Sequence, residues 1–525
     1  MQLKSSRAIL VWAIVVTIVA GFGGLYGTQV QAVGPEDDVD AGLKAFTALL
    51  SVVERNHATE VDPETAVFGA IDGMLRTLDP HSKFFTPKDF TRLREDQRGK
   101  YYGLGITVTS RFGKVTVVSP PFPGAPAEKV GLRVGDVLSH VNGEPTEGID
   151  LNTVVGKLKG PKGTSVRVTV SRPGVDEPFE VTIVRDEISK FTISNAFEIR
   201  DKIGYVKVES FAETTGAELR EALRKLDANN LDGLIIDLRG NPGGLLQEAI
   251  EISEMFLQKG QLIVETRGRA RGSNRSYASQ RVNNDNLYPI VVVINTSSAS
   301  ASEIVSGAIQ DHDRGLIVGE TSFGKGLVQS VYPLTKRAGL ALTTQKWYTP
   351  SGRLIQRDYS ELSQFDYYNQ RDQTKDEALE IKHSDLGRVV YGGGGITPDH
   401  VVPTPTLNDF QDRMAKRFAL FTFVRDFLVD KPTIEPSFEV SDAIVADFTK
   451  HARDREIEVT SEEVSDNAEF IKRMIKYEVF YNRLGVSDAA RVLLNGDVQI
   501  LKALELMPEA QELSRRARNS MARQQ

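Results

Sequence analysis

Hydrophobic positions change their spacing along this chain, and each change marks a different kind of element. From Ala8 to Tyr26, AILVWAIVVTIVAGFGGLY forms one apolar run with no polar face. Beyond the acidic EDDVD (36–40), Leu43, Phe46, Leu49, Leu50 and Val53 recur at the spacing of one helix face. A second helical run, AVFGAIDGMLRTL (66–78), is stopped by Asp79-Pro80. Residues 99–190 switch to short β-branched runs, GITVTS, KVTVVS, SVRVTV and FEVTIV, punctuated by Gly and Pro. SVRVTV alternates with period two, as a half-buried strand does. Short helices are predicted at APAEKVGL (125–132) and LNTVVGKLKG (151–160).

From 191 to 405 strands and helices alternate. IGYVKVESF predicts a strand, TTGAELREALRKLDANN a helix and GLIIDLRG a strand, after which NPGG opens the helix LLQEAIEISEMFL. PIVVVIN (289–295) is an apolar strand, followed by a row of serines and the helix SEIVSGAIQDH; GLIVGE is the next strand, ahead of FGKG. Continuous apolar strands alternating with helices predict a largely parallel sheet covered by helices. Active residues in such sheets gather where strands end and helices begin, and both the serines and FGKG are expected at such junctions of one sheet. Segments 268–288 and 358–385 read as polar loops. From about 407 to 520 the chain is charged and helical, with apolar stripes in KRFALFTFVRDFL (416–428) and AEFIKRMIKYEVFYNRL (468–484). Dimer contact, adaptor docking and a lid are the candidate roles of that region.

The predicted fold class is mixed α/β and α+β, in several domains. Residues 1–32 are a leader or anchor, 36–98 a helical region serving as lid or support, and 99–190 a β-rich module. Residues 191–405 form an α/β core and 406–525 a C-terminal helical region. A length of 525 residues agrees, since roughly three or four domains are expected at that size.

Composition narrows the function. The net charge of −7 argues against nucleic acid as a partner, and the absence of cysteine excludes disulfides, thiol nucleophiles and Cys-ligated metals. Lys4 and Arg7 precede the apolar run, and TQVQA (28–32) offers a cleavage site after Ala32. The run is also nearly long enough to span a bilayer, so a cleaved signal peptide and an uncleaved membrane anchor are both expected readings. The positive flank puts the body of the protein outside the cytoplasm, in the periplasm or on the inner membrane facing it.

The chemistry concentrates in NTSSASASEI (295–304) and FGKGLVQ (323–329). A serine hydroxyl is a poor nucleophile until a base removes its proton, and no histidine here sits in a recognisable motif. Lys325, between Gly324 and Gly326, serves as a base only if its pKa falls by roughly 3 units, which burial near Phe323, Leu327 and Val328 would achieve. Gln329, four residues on, is placed to orient the lysine as the third member of a triad does. Serines at a strand-to-helix turn lie beside helix N–H groups able to stabilise an oxyanion. NPGG (241–244) offers more such groups, because Gly243 and Gly244 leave the backbone uncovered. Taken singly, the serines read better as helix caps and the lysine as a surface residue; together they favour catalysis. Ser297, Ser298, Ser300 and Ser302 all compete as nucleophile. P-loop, HExxH, Rossmann-glycine and GxSxG signatures are absent.

SSASASEI, FGKGLVQ, DLRGNPGG and GGGGITPD (392–399) together resemble the carboxyl-terminal processing proteases, the tail-specific S41-type serine proteases with a Ser–Lys dyad. LRTLDPHSKFF (75–85) resembles the segment ahead of their PDZ domain, and residues 99–173 resemble that domain. The resemblance spans about residues 40–405. It implies a nucleophile 25 residues before the lysine, which singles out Ser300. It implies Lys325 as base, Gln329 as its orienting partner, and an oxyanion hole from Ala301 N–H and that of Gly243 or Gly244. Asp311 matches an acidic position of some relatives; a solvated helix end is the plainer reading. YYGLGI implies a carboxylate-binding loop at Gly103, Leu104, Gly105 and Ile106, where glycines expose N–H groups and Leu and Ile line an apolar pocket. By analogy the PDZ domain also gates the cleft. The expected protein is an exported serine endopeptidase acting on proteins with free C-termini, without metal or cofactor. An adaptor protein and a homodimer are candidate partners. The rivals are a catalytically silent PDZ scaffold and a signal-peptide or lipoprotein processing enzyme.

Overall fold

The computed structural model describes residues 35–281, 288–334, 337–360, 362–369 and 380–524. The apolar run at 8–26, with its reading as signal peptide or anchor, lies outside them. Among the described residues no helix is long and apolar enough to cross a membrane. The chain divides into two units between Leu78 and Asp79.

The first unit holds helices α1 (Pro35–Asn56) and α2 (Pro63–Arg76). The Asp62 carboxylate caps α2 by accepting the N–H groups of Glu64 and Thr65 at 3.3 and 3.1 Å, and Pro63 pre-sets the first turn. Leu43, Phe46 and Leu49 of α1 are exposed.

The second unit opens with β1 (Lys83–Phe85) and α3 (Pro87–Arg98). A β-rich module follows, comprising β2 (Lys100–Gly103), β3 (Val108–Arg111), β4 (Lys114–Val117), α4 (Pro126–Lys129), β5 (Val137–Val141), β6 (Glu144–Pro145), α5 (Leu151–Leu158), β7 (Ser165–Ser171), β8 (Phe179–Val184) and β9 (Asp186–Ser189). Its sheet runs β3-β4-β5-β7-β8, with β6 on β5, while β2 pairs with β9. The period-two pattern of β7 turns Val166, Val168 and Val170 into the module's core. Strand β3 is an edge, and α5 packs against it.

The core comprises β10 (Ile193–Arg200), β11 (Ile203–Val208), α6 (Thr215–Lys225), β12 (Gly233–Asp237), α7 (Leu246–Glu254), β13 (Leu262–Arg267), β14 (Arg275–Ala278), β15 (Ile290–Ile294), α8 (Ala301–Asp311), β16 (Leu316–Gly319), β17 (Leu327–Pro333), β18 (Gly339–Tyr348), α9 (Gln364–Asn369), β19 (Ile381–His383), β20 (Val389–Tyr391) and β21 (His400–Val401). One sheet runs β10-β11-β12-β15-β16-β21 and is parallel from β11 onward. Every residue of β12 and β15 is buried, which requires cover on both faces. The second sheet is antiparallel, with order β1-β18-β13-β14 and β17 on β18. Helix α8 is buried at every residue.

Three expectations are corrected. The segment 268–288 contains β14, and 358–385 contains α9 and β19. FGKG does not open a helix on the parallel sheet; it leads into β17 of the antiparallel sheet. Leu327–Pro333 is mostly half-buried, as suits an antiparallel ribbon with one face toward solvent. Lys325 lies in the loop that leaves β16 of the parallel sheet and enters β17 of the antiparallel one.

The C-terminal helices are α10 (Asp409–Lys416), α11 (Ala419–Phe427), α12 (Asp442–Asp454), α13 (Ser461–Asp466), α14 (Ala468–Arg483), α15 (Val486–Leu494), α16 (Val498–Glu505) and α17 (Met507–Gln524). Most of the first five share a core around Phe423, Phe448, Ile471 and Ile475. The last three cover the outer face of the parallel sheet. Leu494, Ile500, Ala503, Met507 and Leu513 pack on Tyr205, Ile235, Val291, Val293 and Val318. The helical region also grips the β-rich module: the Arg111 guanidinium lies 3.5 Å from the Phe421 ring centre and 4.8 Å from that of Phe418.

Candidate active site

The serine row occupies the turn from β15 into α8. Ser298 and Ser302 are fully buried, and their hydroxyls donate to the carbonyls of Leu238 (2.8 Å) and Asn241 (3.0 Å). Ser297 is exposed. Ser300 is half-buried at the N-cap of α8, with φ 55° and ψ −111°. A non-glycine residue at that φ is strained and persists only where its surroundings enforce it. One enforcing bond runs from Ser300 N–H to Glu303 Oε2 at 2.6 Å.

NPGG lies directly against this turn. Ala299 N–H donates to the Asn241 carbonyl at 3.0 Å, and the Asn241 side chain bonds Val208 and Gly243. Gly243 has φ +95°, and a Cβ there would stand 2.8 Å from Ser300 Cβ and 2.9 Å from Ala301 N. The Gly243 N–H is taken by Asn241 Oδ1 at 2.9 Å. Among the described residues, no acceptor takes the N–H of Gly244 or of Ala301. The Gly243 approach to Ala301 N brings these two segments together. The two N–H groups are unspent donors beside Ser300, the requirement for an oxyanion hole.

Lys325 lies in the loop between β16 and β17. Its Nζ donates to Gln329 Oε1 at 2.8 Å, and its carbonyl accepts Trp347 Nε1 at 3.0 Å. Burial pushes the Lys325 pKa down, against the opposing pull of Glu303 and Asp79. Among the described residues no hydrogen bond joins Lys325 Nζ to Ser300 Oγ; catalytic bonds of this kind often tighten only with substrate.

Glu303 ties the two segments together. Its Oε1 accepts Ser322 Oγ (2.5 Å) and Gly324 N (2.6 Å), and its Oε2 accepts Ser300 N and Lys325 N (2.9 Å). Burial pushes its pKa up, and the four donors hold it back. Sequence reasoning missed Glu303, although Ser300-x-x-Glu303 is a capping-box spacing. It also missed the residues around Gln329. Gln329 Nε2 donates to the His81 carbonyl, and the His81 ring lies between the hydroxyls of Tyr367 (3.0 Å) and Tyr368 (3.1 Å). Burial and the nearby Lys325 push His81 down to about 4, so it is neutral at ordinary pH. The signal for this contact was the turn-forming Asp79-Pro80; nothing in the polar segment around Tyr367 announced a buried ring.

Asp311 is not a solvated helix end. It is buried, with Oδ1 2.6 Å from Nη2 of the equally buried Arg353 and Oδ2 accepting Ser351 N at 2.9 Å. At the peptide-binding candidates, Gly103 ends β2 and Gly105 has φ +77°. The Leu104 carbonyl accepts Ala127 N and the Gly105 carbonyl accepts Phe122 N. The Leu104 side chain is spent on the module's core, which leaves Ile106 as the accessible apolar group. No acceptor takes the N–H of Leu104 or Ile106 among the described residues.

A serine-bearing turn tied through Glu303 to a lysine loop, with spare amides and a small β module, is an arrangement that suits a serine-type peptidase. A model of peptidase family S41 matches residues 202–361, and one of the PDZ domain matches residues 117–172. The carboxy-terminal-processing protease of Bartonella bacilliformis is 40% identical over 60% of this chain and 72% of its own. The carboxy-terminal processing protease CtpB of Bacillus subtilis is 35% identical over 64% of this chain and 70% of its own. A solved photosystem II D1 C-terminal processing protease covers 59% of this chain and 83% of its own, at 30% identity and a TM-score of 0.34. The chain belongs to peptidase family S41, among the carboxy-terminal processing proteases.

Proposed function

We propose that this protein is an exported endopeptidase that captures the free C-terminal tail of a protein substrate on its PDZ module and cleaves the chain with Ser300 and Lys325. Ser300 Oγ attacks the peptide carbonyl as Lys325 Nζ, swung from Gln329 Oε1, accepts its proton. The oxyanion is received by the N–H groups of Ala301 and Gly244. Lys325 returns the proton to the leaving amine, and water then hydrolyses the acyl-enzyme. The tail adds as a strand on the free edge of β3 beside α5, with its carboxylate on the amides of residues 104–106. The apolar run behind Lys4 and Arg7 supports a site of action in the cell envelope outside the cytoplasm.

The observation that carries this reading is Glu303 binding the main chain of both Ser300 and Lys325. The test is incubation of the purified protein with an unstructured protein ending in apolar residues. Fragments are expected from the wild type, none from Ser300→Ala or Lys325→Ala, and unchanged tail binding from all three. Binding without fragments from the wild type would make it a scaffold, and cleavage by Ser300→Ala would remove Ser300 as nucleophile.

A further inference from the structure

Gln329 is useful to the lysine only if its amide oxygen, not its nitrogen, faces Nζ. A free glutamine flips, so something must fix it. The fixing bond is Gln329 Nε2 to the His81 carbonyl, which leaves Oε1 for Lys325. That carbonyl is itself held by a turn built on one side chain. Asp79 Oδ1 accepts His81 N and Ser82 N, both at 2.8 Å, and Oδ2 accepts Ser82 Oγ at 2.7 Å. The turn is then pinned to β18, because Asp79 Oδ1 accepts Thr343 Oγ1 at 3.0 Å and Ser82 Oγ accepts Thr343 N at 3.1 Å. Thr343 is the cross-strand partner of Gln329, at the bulge where the β17–β18 register shifts. The turn is thereby indexed to the glutamine it must reach. Asp79 is buried, a costly place for a carboxylate that the four bonds donated to it offset.

We propose that Asp79 is a positioning residue for the catalytic lysine: it folds residues 79–82 into the turn whose His81 carbonyl orients Gln329, and through Gln329 the Lys325 ammonium. The proposal rests on the Ser300–Lys325 reading above. The charged and titratable groups facing Lys325 are Glu303 from α8, Asp79 and His81 from the turn, and Arg357 beside the His81 ring.

The test measures kcat, KM and the pH profile of tail cleavage for wild type, Asp79→Ala, Asp79→Asn, Gln329→Ala and the double variant Asp79→Ala/Gln329→Ala. Asparagine keeps the acceptor oxygen for the turn and removes the charge. Asp79→Asn is expected to hold most of kcat and to move the rise of activity to lower pH. Asp79→Ala is expected to lose about tenfold or more in kcat with little change in KM, as for a misplaced catalytic group. In the Gln329→Ala background, Asp79→Ala is expected to cost nothing further. Wild-type kcat in Asp79→Ala, or losses that multiply in the double variant, would overturn the proposal. If Asp79→Ala does not fold, Thr343→Val, which removes only the Oγ1 bond, carries the same cycle. Residual cleavage by Ser300→Ala in the same assay would refute the Ser–Lys reading instead, so the two failures are distinguishable.

Discussion

Glu303 takes the main-chain N–H of Lys325 at 2.9 Å but not its ammonium, which turns to Gln329. A carboxylate in salt-bridge contact would hold the lysine charged; here it shapes the lysine's loop and leaves the side chain to desolvation. Replacing Glu303 by Gln puts an NH2 group against donors that need an acceptor. The expected result is a loss of about 3 kcal/mol in stability, as for breaking a buried charged network, together with loss of cleavage. Thermal unfolding and turnover on the same sample check it.

The lowered pKa of Lys325 also sets a pH dependence. Its ordinary value is 10.5 and its folded value lies below that, so the unfolded chain keeps the proton to higher pH. The penalty for burying the charge is complete below the folded pKa and fades as pH rises toward 10.5. Stability is expected to climb with pH across that window, and activity to rise as pH passes the folded pKa and to level off above it. Lys325→Met carries no charge to bury and is expected to be inactive and about 1 kcal/mol more stable at pH 7. A cleavage rate that is flat from pH 5 to 9 would contradict the lysine as base.

Gly243→Ala places a methyl group against Ser300 Cβ, Ala299 O and Ala301 N, at a φ of +95°. The cost to folding is expected to be about 1–2 kcal/mol. Cleavage is expected to fall by about 100-fold or more, because the methyl displaces the serine and the amide beside it. Comparing kcat with tail affinity separates the two, since the PDZ module is untouched.

What the sequence disclosed was local. Ser300, Lys325 and Gln329 stand in short motifs, and the all-apolar IVVVI could only be a central strand. Hidden were the bonds made across large separations. His81 reaches Gln329 from the other side of the PDZ module, and Tyr367 is buried from within a polar segment. A row of helical apolar residues says that a face is covered but not by what. For this reason α15 to α17 read as accessory while they close the parallel sheet. FGKG does follow a strand end of the parallel sheet, but the element after it is β17 and not a helix, because a chain leaving a strand end gives no sign of what it enters.

Asp311→Ala would leave the Arg353 guanidinium buried without its carboxylate, with only Gln310 Oε1 (2.8 Å), Thr349 Oγ1 and the Tyr391 carbonyl remaining. A loss of about 3–5 kcal/mol is expected. Below the melting temperature kcat is expected to stay near wild type, because among the described residues Asp311 has no hydrogen bond to the site. A fall in kcat in fully folded Asp311→Ala would show that this pair also serves catalysis.

Where the helical region holds the β-rich module, burial pushes Glu478 up to about 6 while Arg111 pulls it down. A raised acid pKa favours the folded state when protonated. That stability is complete below the ordinary value of 4.5 and is lost as pH rises through about 6. Thermal unfolding is expected to show this loss from 4.5 to about 6 in the wild type and not in Glu478→Gln.

The cover of the parallel sheet has a consequence for timing. Val291, Val293 and Val318 wait for Leu494, Ile500 and Met507, which are synthesised more than 150 residues after Lys325. A nascent chain that already carries Ser300 and Lys325 still shows a bare apolar sheet face and cannot settle into its final form. Completion of the sheet that carries Ser300 is thereby postponed to the last stage of synthesis, long after the PDZ module has been made.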